Sequence, residues 1–208
     1  RAIDALSEMG TDEAIVALLK RYQYRTEQTI TDEEEKELVY QRTVALGPAA
    51  IPGVVGYISS EKHIYWPVKA LHDIVGEEEA ARVILEALEG IEDAFGQNAE
   101  RRQMLVDNLR GYAQLENVHQ KLLELMRDED EEIVIRAIDG LSARTNDPGV
   151  AEAVVPLLID EATSIRLKTM VTELVIENEW NVRLYKKKIA EVLPEQYFVD
   201  ATGVVRRK

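Results

Sequence analysis

Apolar residues recur three and four positions apart along most of the chain, the spacing of amphipathic helices. Ile3, Leu6 and Met9 share one face of a segment that Gly10 ends. Thr11 is placed to cap a second helix with the stripe Ile15, Leu18, Leu19 and Tyr22, and Asp12 and Glu13 suit its positive end. Beyond the polar stretch 25–31, Thr31-Asp32-Glu33-Glu34 offers a capping box for a helix to about Leu46, with Leu38, Val39 and Val44 inward. Gly47-Pro48 ends it. A helix near 49–59 follows, carrying Ile51, Val54, Val55 and Ile58, and Pro52-Gly53 predicts that it is short or kinked.

The same alternation continues downstream. Helices are expected over 61–75 and, after Gly76, over 77–88 with Ala81, Ile84, Leu85 and Leu88 inward. A loop at 92–98 precedes helices at 99–110 and 115–126, the second carrying Val118, Leu122, Leu125 and Met126. The acid run Asp128–Glu132 leads into a helix over 133–142. The turn Asn146-Asp147-Pro148-Gly149 opens another over 150–159. Helices over 162–178 and 182–193 complete the series, with Pro156 and Pro194 as breakers. Period-two alternation appears only in the tail. There Tyr197-Phe198-Val199 and Val204-Val205-Arg206 flank Asp200–Gly203 as a short hairpin.

An internal repeat organises these helices. Arg1-Ala2-Ile3-Asp4-Ala5-Leu6-Ser7 returns as Arg136-Ala137-Ile138-Asp139-Gly140-Leu141-Ser142, with six of seven residues identical and 135 positions between the copies. Stops at Gly10, Gly47, Gly76, Gly111 and Thr145 divide that interval into steps of 37, 29, 35 and 34 residues. The following phrase recurs too, as Asp12-Glu13-Ala14-Ile15-Val16-Ala17-Leu18-Leu19 and as the run from Asp147 to Leu158.

Paired helices at this period resemble HEAT repeats, particularly the short bacterial type also seen in phycobiliprotein lyase subunits. The residues that carry the resemblance are Asp130, Ile135-Arg136, Ala137 and Leu141, with echoes at Val68-Lys69-Ala70-Leu71 and Ile165-Arg166. The tetratricopeptide pattern of Trp, Gly, Tyr, Ala and Pro at fixed offsets is not found. The resemblance implies an all-α fold, an α-solenoid of about five to six antiparallel helix pairs over 1–193. A basic tail or short hairpin is left at 194–208. Arg1 opens the chain inside a repeat and without Met, so further residues are expected upstream. Nothing fixes the compartment. The cytoplasm is the default expectation, and an upstream export signal stays open.

Charge narrows the partners. The formal charge is −14. Residues 183–208 hold seven basic and three acidic side chains, so they are net positive while the rest of the chain is strongly acidic. Such a field repels phosphate backbones, and no nucleic-acid partner is expected. The chain has no cysteine, which excludes disulfides, thiolate metal sites and cysteine nucleophiles. No apolar run in the sequence approaches the roughly 20 residues of a membrane helix.

Candidate chemistry is sparse. His63, His72 and His119 have no i, i+4 partner, and the paired His-Glu dipeptides of HEAT-like hydroxylases are missing. The acid runs at 33–37 and 128–132 read as solvated faces rather than as a general acid and base. Neither a phosphate-binding glycine loop nor a nucleophile elbow occurs. No catalytic residue, metal or cofactor is expected. The remaining candidates are aromatic: Tyr65 and Trp66, which Pro67 places at a helix entrance, and Tyr22, Tyr24 and Tyr57, which fall on or near second helices. Trp180 is expected to pack at a last turn. The expected function is a non-catalytic scaffold or protein-binding module that presents a curved acidic surface to a basic or amphipathic segment. A bilin lyase-like or lyase-chaperone subunit, and a structural segment of a longer repeat protein, are the alternatives.

Overall fold

A computed structural model describes residues 2–27, 29–91 and 96–208. Arg1 of the repeated heptad and the first four positions of the expected loop at 92–98 lie outside the described residues. Among the described residues the fold is mostly helical with one small hairpin, and the chain divides into two compact units, Arg1–Val118 and His119–Lys208.

Unit 1 contains α1 (Ala2–Met9), α2 (Asp12–Leu19), α3 (Thr29–Leu46), α4 (Ile51–Ser60), α5 (Tyr65–Val75), α6 (Glu77–Glu89) and α7 (Gln97–Leu109). The next helix, α8 (Glu116–Leu125), runs across the division. The Thr11 hydroxyl caps α2 by accepting from the Ala14 N–H at 3.2 Å. A 3-10 turn at Lys20–Gln23 then carries Tyr22 inward. Gly10, Gly47 and Gly76 end their helices with positive φ, as expected, whereas Gly111 sits inside a 3-10 turn and Thr145 is right-handed. The last two stops work through helix tightening rather than a left-handed residue.

Two local expectations are corrected. The capping box at 31–34 does not form, because α3 already starts at Thr29. Asp32 instead turns inward at 1% exposure, where it accepts from Lys36 Nζ at 2.5 Å, Arg21 Nη2 at 2.7 Å and the Thr26 N–H at 3.0 Å. Those bonds, Lys36 first, hold its carboxyl well below the usual carboxylate range. Pro52 and Gly53 do not spoil α4. Pro52 lies in the first turn, where no N–H is needed, and Gly53 lets α2 approach: a Cβ there would meet Ile15 Cβ at 2.8 Å. Finally, the run Thr29–Ser60 is long and apolar enough to cross a membrane by length and composition alone. Its first turns hold Asp32 to Glu37, and Val39, Thr43, Val54, Tyr57 and Ile58 are buried within unit 1, so it gives no clear membrane span.

Unit 2 contains α9 (Glu131–Leu141), α10 (Pro148–Val154), α11 (Ile165–Glu177) and α12 (Lys186–Val192), then β1 (Tyr197–Val199) and β2 (Val205–Arg207). Acids cap these helices, among them Asp130 of the run that reads as solvated. The Asp130 carboxylate accepts from the Glu132 N–H and Asp147 from the Gly149 N–H, each at 2.9 Å. Glu132 bridges Arg136 and Arg166. Trp180 packs as expected, 8% exposed, donating from Nε1 to the Thr145 carbonyl at 3.1 Å. The hairpin forms one residue later than expected in its second strand, since Val204 is drawn into a bridge with Asn181. The helix expected over 182–193 is a 3-10 turn at Arg183–Tyr185 followed by α12. Ile189 is buried, but Leu184 is 92% and Val192 48% exposed.

Candidate functional site

The aromatic candidates separate by location. Ile64, 1% exposed, anchors the entrance of α5. Pro67 is buried in its first turn, which turns Tyr65 out and leaves Trp66 half-buried. Trp66 stacks on Tyr22 with ring centroids 6.1 Å apart and planes 5° apart. Tyr40 of α3 meets the Trp66 ring tilted by 55° at 5.7 Å, and Tyr65 stands edge-on to it, also at 5.7 Å. Lys69, one turn along α5, lies 4.5 Å from the Tyr40 centroid and 5.0 Å from that of Trp66. The cluster is pinned by two hydroxyls. Tyr22 donates to the Lys36 carbonyl at 3.2 Å, and Tyr40 donates to Asp73. That bond, with lesser desolvation, pushes the Tyr40 hydroxyl up to about 12.

Tyr65 is 64% exposed and forms the rim of a cleft of about 440 Å³ between α5 and the end of α7. Val68, Lys69 and His72 make one wall, and Asp107, Arg110 and Tyr112 the other. Neither Lys69 nor Arg110 has an acidic partner among the described residues. The Tyr112 ring, 6% exposed, closes the floor, and its burial pushes the hydroxyl up to about 12. An apolar rim, a rigid aromatic backing and unsatisfied charges can seat a side chain, and no nucleophile beside a base is found there.

Sequence reasoning named Tyr22, Tyr65 and Trp66, and the fold brings these three together. Tyr24 is elsewhere, 66% exposed on a second cleft of about 320 Å³ with Lys62 and Arg101. Tyr57 is removed from any surface role: it is fully buried, and that burial pushes its hydroxyl up to about 12. Tyr40 and Lys69 were missed. Lys69 follows Tyr65 by four and Trp66 by three, a spacing legible on a helix. Tyr40 carries no such signal, since its contact depends on α3 packing against α5.

The histidines do not converge. His63 and His72 are exposed, His119 is buried beside Asp147, and no group of three metal-ligating side chains occurs among the described residues. No protein-family model, curated protein or solved structure matches the chain.

Proposed function

We propose that this chain is a protein-binding module without catalytic activity. Its helix pairs are of the HEAT-like type and stack as an α-solenoid of about five to six antiparallel pairs. The carrying observation is the Tyr65 rim on the α5–α7 cleft, backed by a Trp66 ring that packs with Tyr22 and Tyr40. A rigid exposed aromatic loses little entropy on binding and fits the anchor of an interface. Val68 beside Lys69, Arg110 and Asp107 suits an amphipathic segment with both apolar and charged positions.

The test is recovery of a bound protein by the immobilised chain, read by mass spectrometry against Tyr65→Ala. Truncation of an exposed rim residue leaves the fold intact, and a hot-spot aromatic is worth about 2 kcal/mol or more. The specific partner is therefore expected to fall by at least about tenfold with Tyr65→Ala at unchanged circular dichroism. Equal recovery by both proteins, or none by either, would remove the reading.

A further inference from the structure

The α5–α7 cleft carries a charge pattern opposite to that of the chain around it. The chain has 39 acidic against 25 basic residues, and in unit 1 Arg21, Lys36, Arg42, Lys62 and Arg82 are each ion-paired. Lys69 and Arg110 are exposed on the cleft with no ion pair among the described residues. Asp107 is the acid on the cleft wall, and it too has no ion pair among them. Two cations against one carboxylate leave a single positive charge in excess.

These groups are positioned before anything binds. The Lys69 ammonium rests by the Tyr40 and Trp66 rings, 4.5 and 5.0 Å from their centroids, which holds the head without spending its donors on an acid. Arg110 opens the 3-10 turn after α7, and its guanidinium offers a planar fork of donors that fits a carboxylate. On the floor, the Tyr112 hydroxyl has no hydrogen-bond partner among the described residues, and burial keeps it protonated and so a donor. Asp73 and Glu77 add to that effect, and Asp73 already accepts from Tyr40. Val68 and the exposed Tyr65 ring supply apolar surface, and Gly111 leaves space, since a Cβ there would meet nothing within 4 Å. The volume of about 440 Å³ lies within the roughly 300–1,000 Å³ of small-molecule sites.

We propose that this cleft binds a small amphipathic carboxylate, a free molecule with one anionic head and a flat apolar body. The head is held by Lys69, Arg110 and the Tyr112 hydroxyl, and the body lies along Val68 and the Tyr65 ring. A single excess positive charge matches a monoanion and leaves a doubly charged phosphate only half neutralised. The site shares its cleft with the protein-binding reading, but a free ligand needs no partner chain, so the two readings fail separately.

Titration of the isotope-labelled chain with phenylpropionate, followed by NMR, tests it, with phenylpropionamide, phenylpropylamine and phenyl phosphate as comparisons. The carboxylate is expected to saturate, to move the amide signals of Val68–His72 and Arg110–Tyr112, and to bind at least about fivefold tighter than the amide or the amine. Lys69→Met and Arg110→Met should each weaken it at least about threefold, and Tyr65→Ala about threefold. Asp107→Asn removes the opposing charge and should tighten it by about twofold. Lys62→Met, on the second cleft, should leave binding unchanged. Circular dichroism is expected to be the same in all five variants. Arg110 lies outside the Trp66 cluster, so its variant reads the head group even where Lys69→Met loosens the aromatic packing. The proposal is overturned by absence of saturable binding, by equal binding of the amine, by unchanged affinity in Arg110→Met, or by tighter binding of phenyl phosphate. Carboxylate binding by a chain that recovers no protein keeps this site and removes the protein-binding reading. A Tyr65-dependent protein partner without carboxylate binding does the reverse.

Discussion

The segments Ala2–Ser7 and Ala137–Ser142 differ at one residue, Ala5 against Gly140, and have opposite surroundings. Locally they are the same object. Both lie at or in a short helix, and in both the serine hydroxyl donates to the aspartate carbonyl three residues back: Ser7 to Asp4 at 2.9 Å, Ser142 to Asp139 at 2.6 Å. Their burial diverges completely. Leu141 is inaccessible while Leu6 is half-exposed, and Ala137 is inaccessible while Ala2 is exposed. Near-identical sequence thus sets the local conformation and leaves burial to the neighbouring helix.

The largest expected effect that probes this contrast is truncation of the matched leucines. Leu141→Ala empties a fully buried site and should lower unfolding stability by about 3 kcal/mol, while Leu6→Ala should cost about 1 kcal/mol or less. Urea titration of the two variants reads the difference. Equal losses would mean that the exposure of α1 has no energetic consequence. Next is Gly140→Ala, which makes the α9 heptad match α1. The new Cβ would crowd Leu122, and about 1–2 kcal/mol should be lost, partly recovered in combination with Leu122→Ala.

The smallest effect concerns the matched acids. The Gly149 N–H bond, with His119 and Arg144 behind it, lowers the Asp147 carboxyl below its ordinary value. Its folded pKa is depressed, so its contribution is complete above the free value of about 4. It is lost as pH falls through the lowered folded value. Asp147→Asn keeps a cap oxygen but removes the charge, so the acid-side fall in stability should become shallower. Thermal melts from pH 6 down to 2 check this. A wild-type slope retained in Asp147→Asn would assign acid sensitivity elsewhere, with Asp32 the first alternative.

Much of the helical order was legible because it rests on short-range rules. Thr11 capping α2, Gly76 between α5 and α6, and the Asp147-Pro148 start of α10 each follow from residues within one turn. The misreadings share a cause. Thr31–Glu34 satisfies a local capping pattern, but Arg21 and Lys36 flank Asp32 and make it a buried acceptor instead. Gly53 reads as a weak point in α4 until Ile15 of α2 is seen against it. At the site, the Trp66–Lys69 spacing lay in the sequence, whereas Tyr40 entered only through the packing of α3 on α5.

The sequence by itself determined most of the helices, several of their caps and the recurrence of the repeated phrases, because hydrogen bonds and side-chain spacing within a few residues suffice for these. Tertiary structure alone decided which apolar faces are covered, which tyrosines meet Trp66, and that Gly140 lies against Leu122 of α8. Burial depends on a second element at the right distance, and no local pattern encodes that distance.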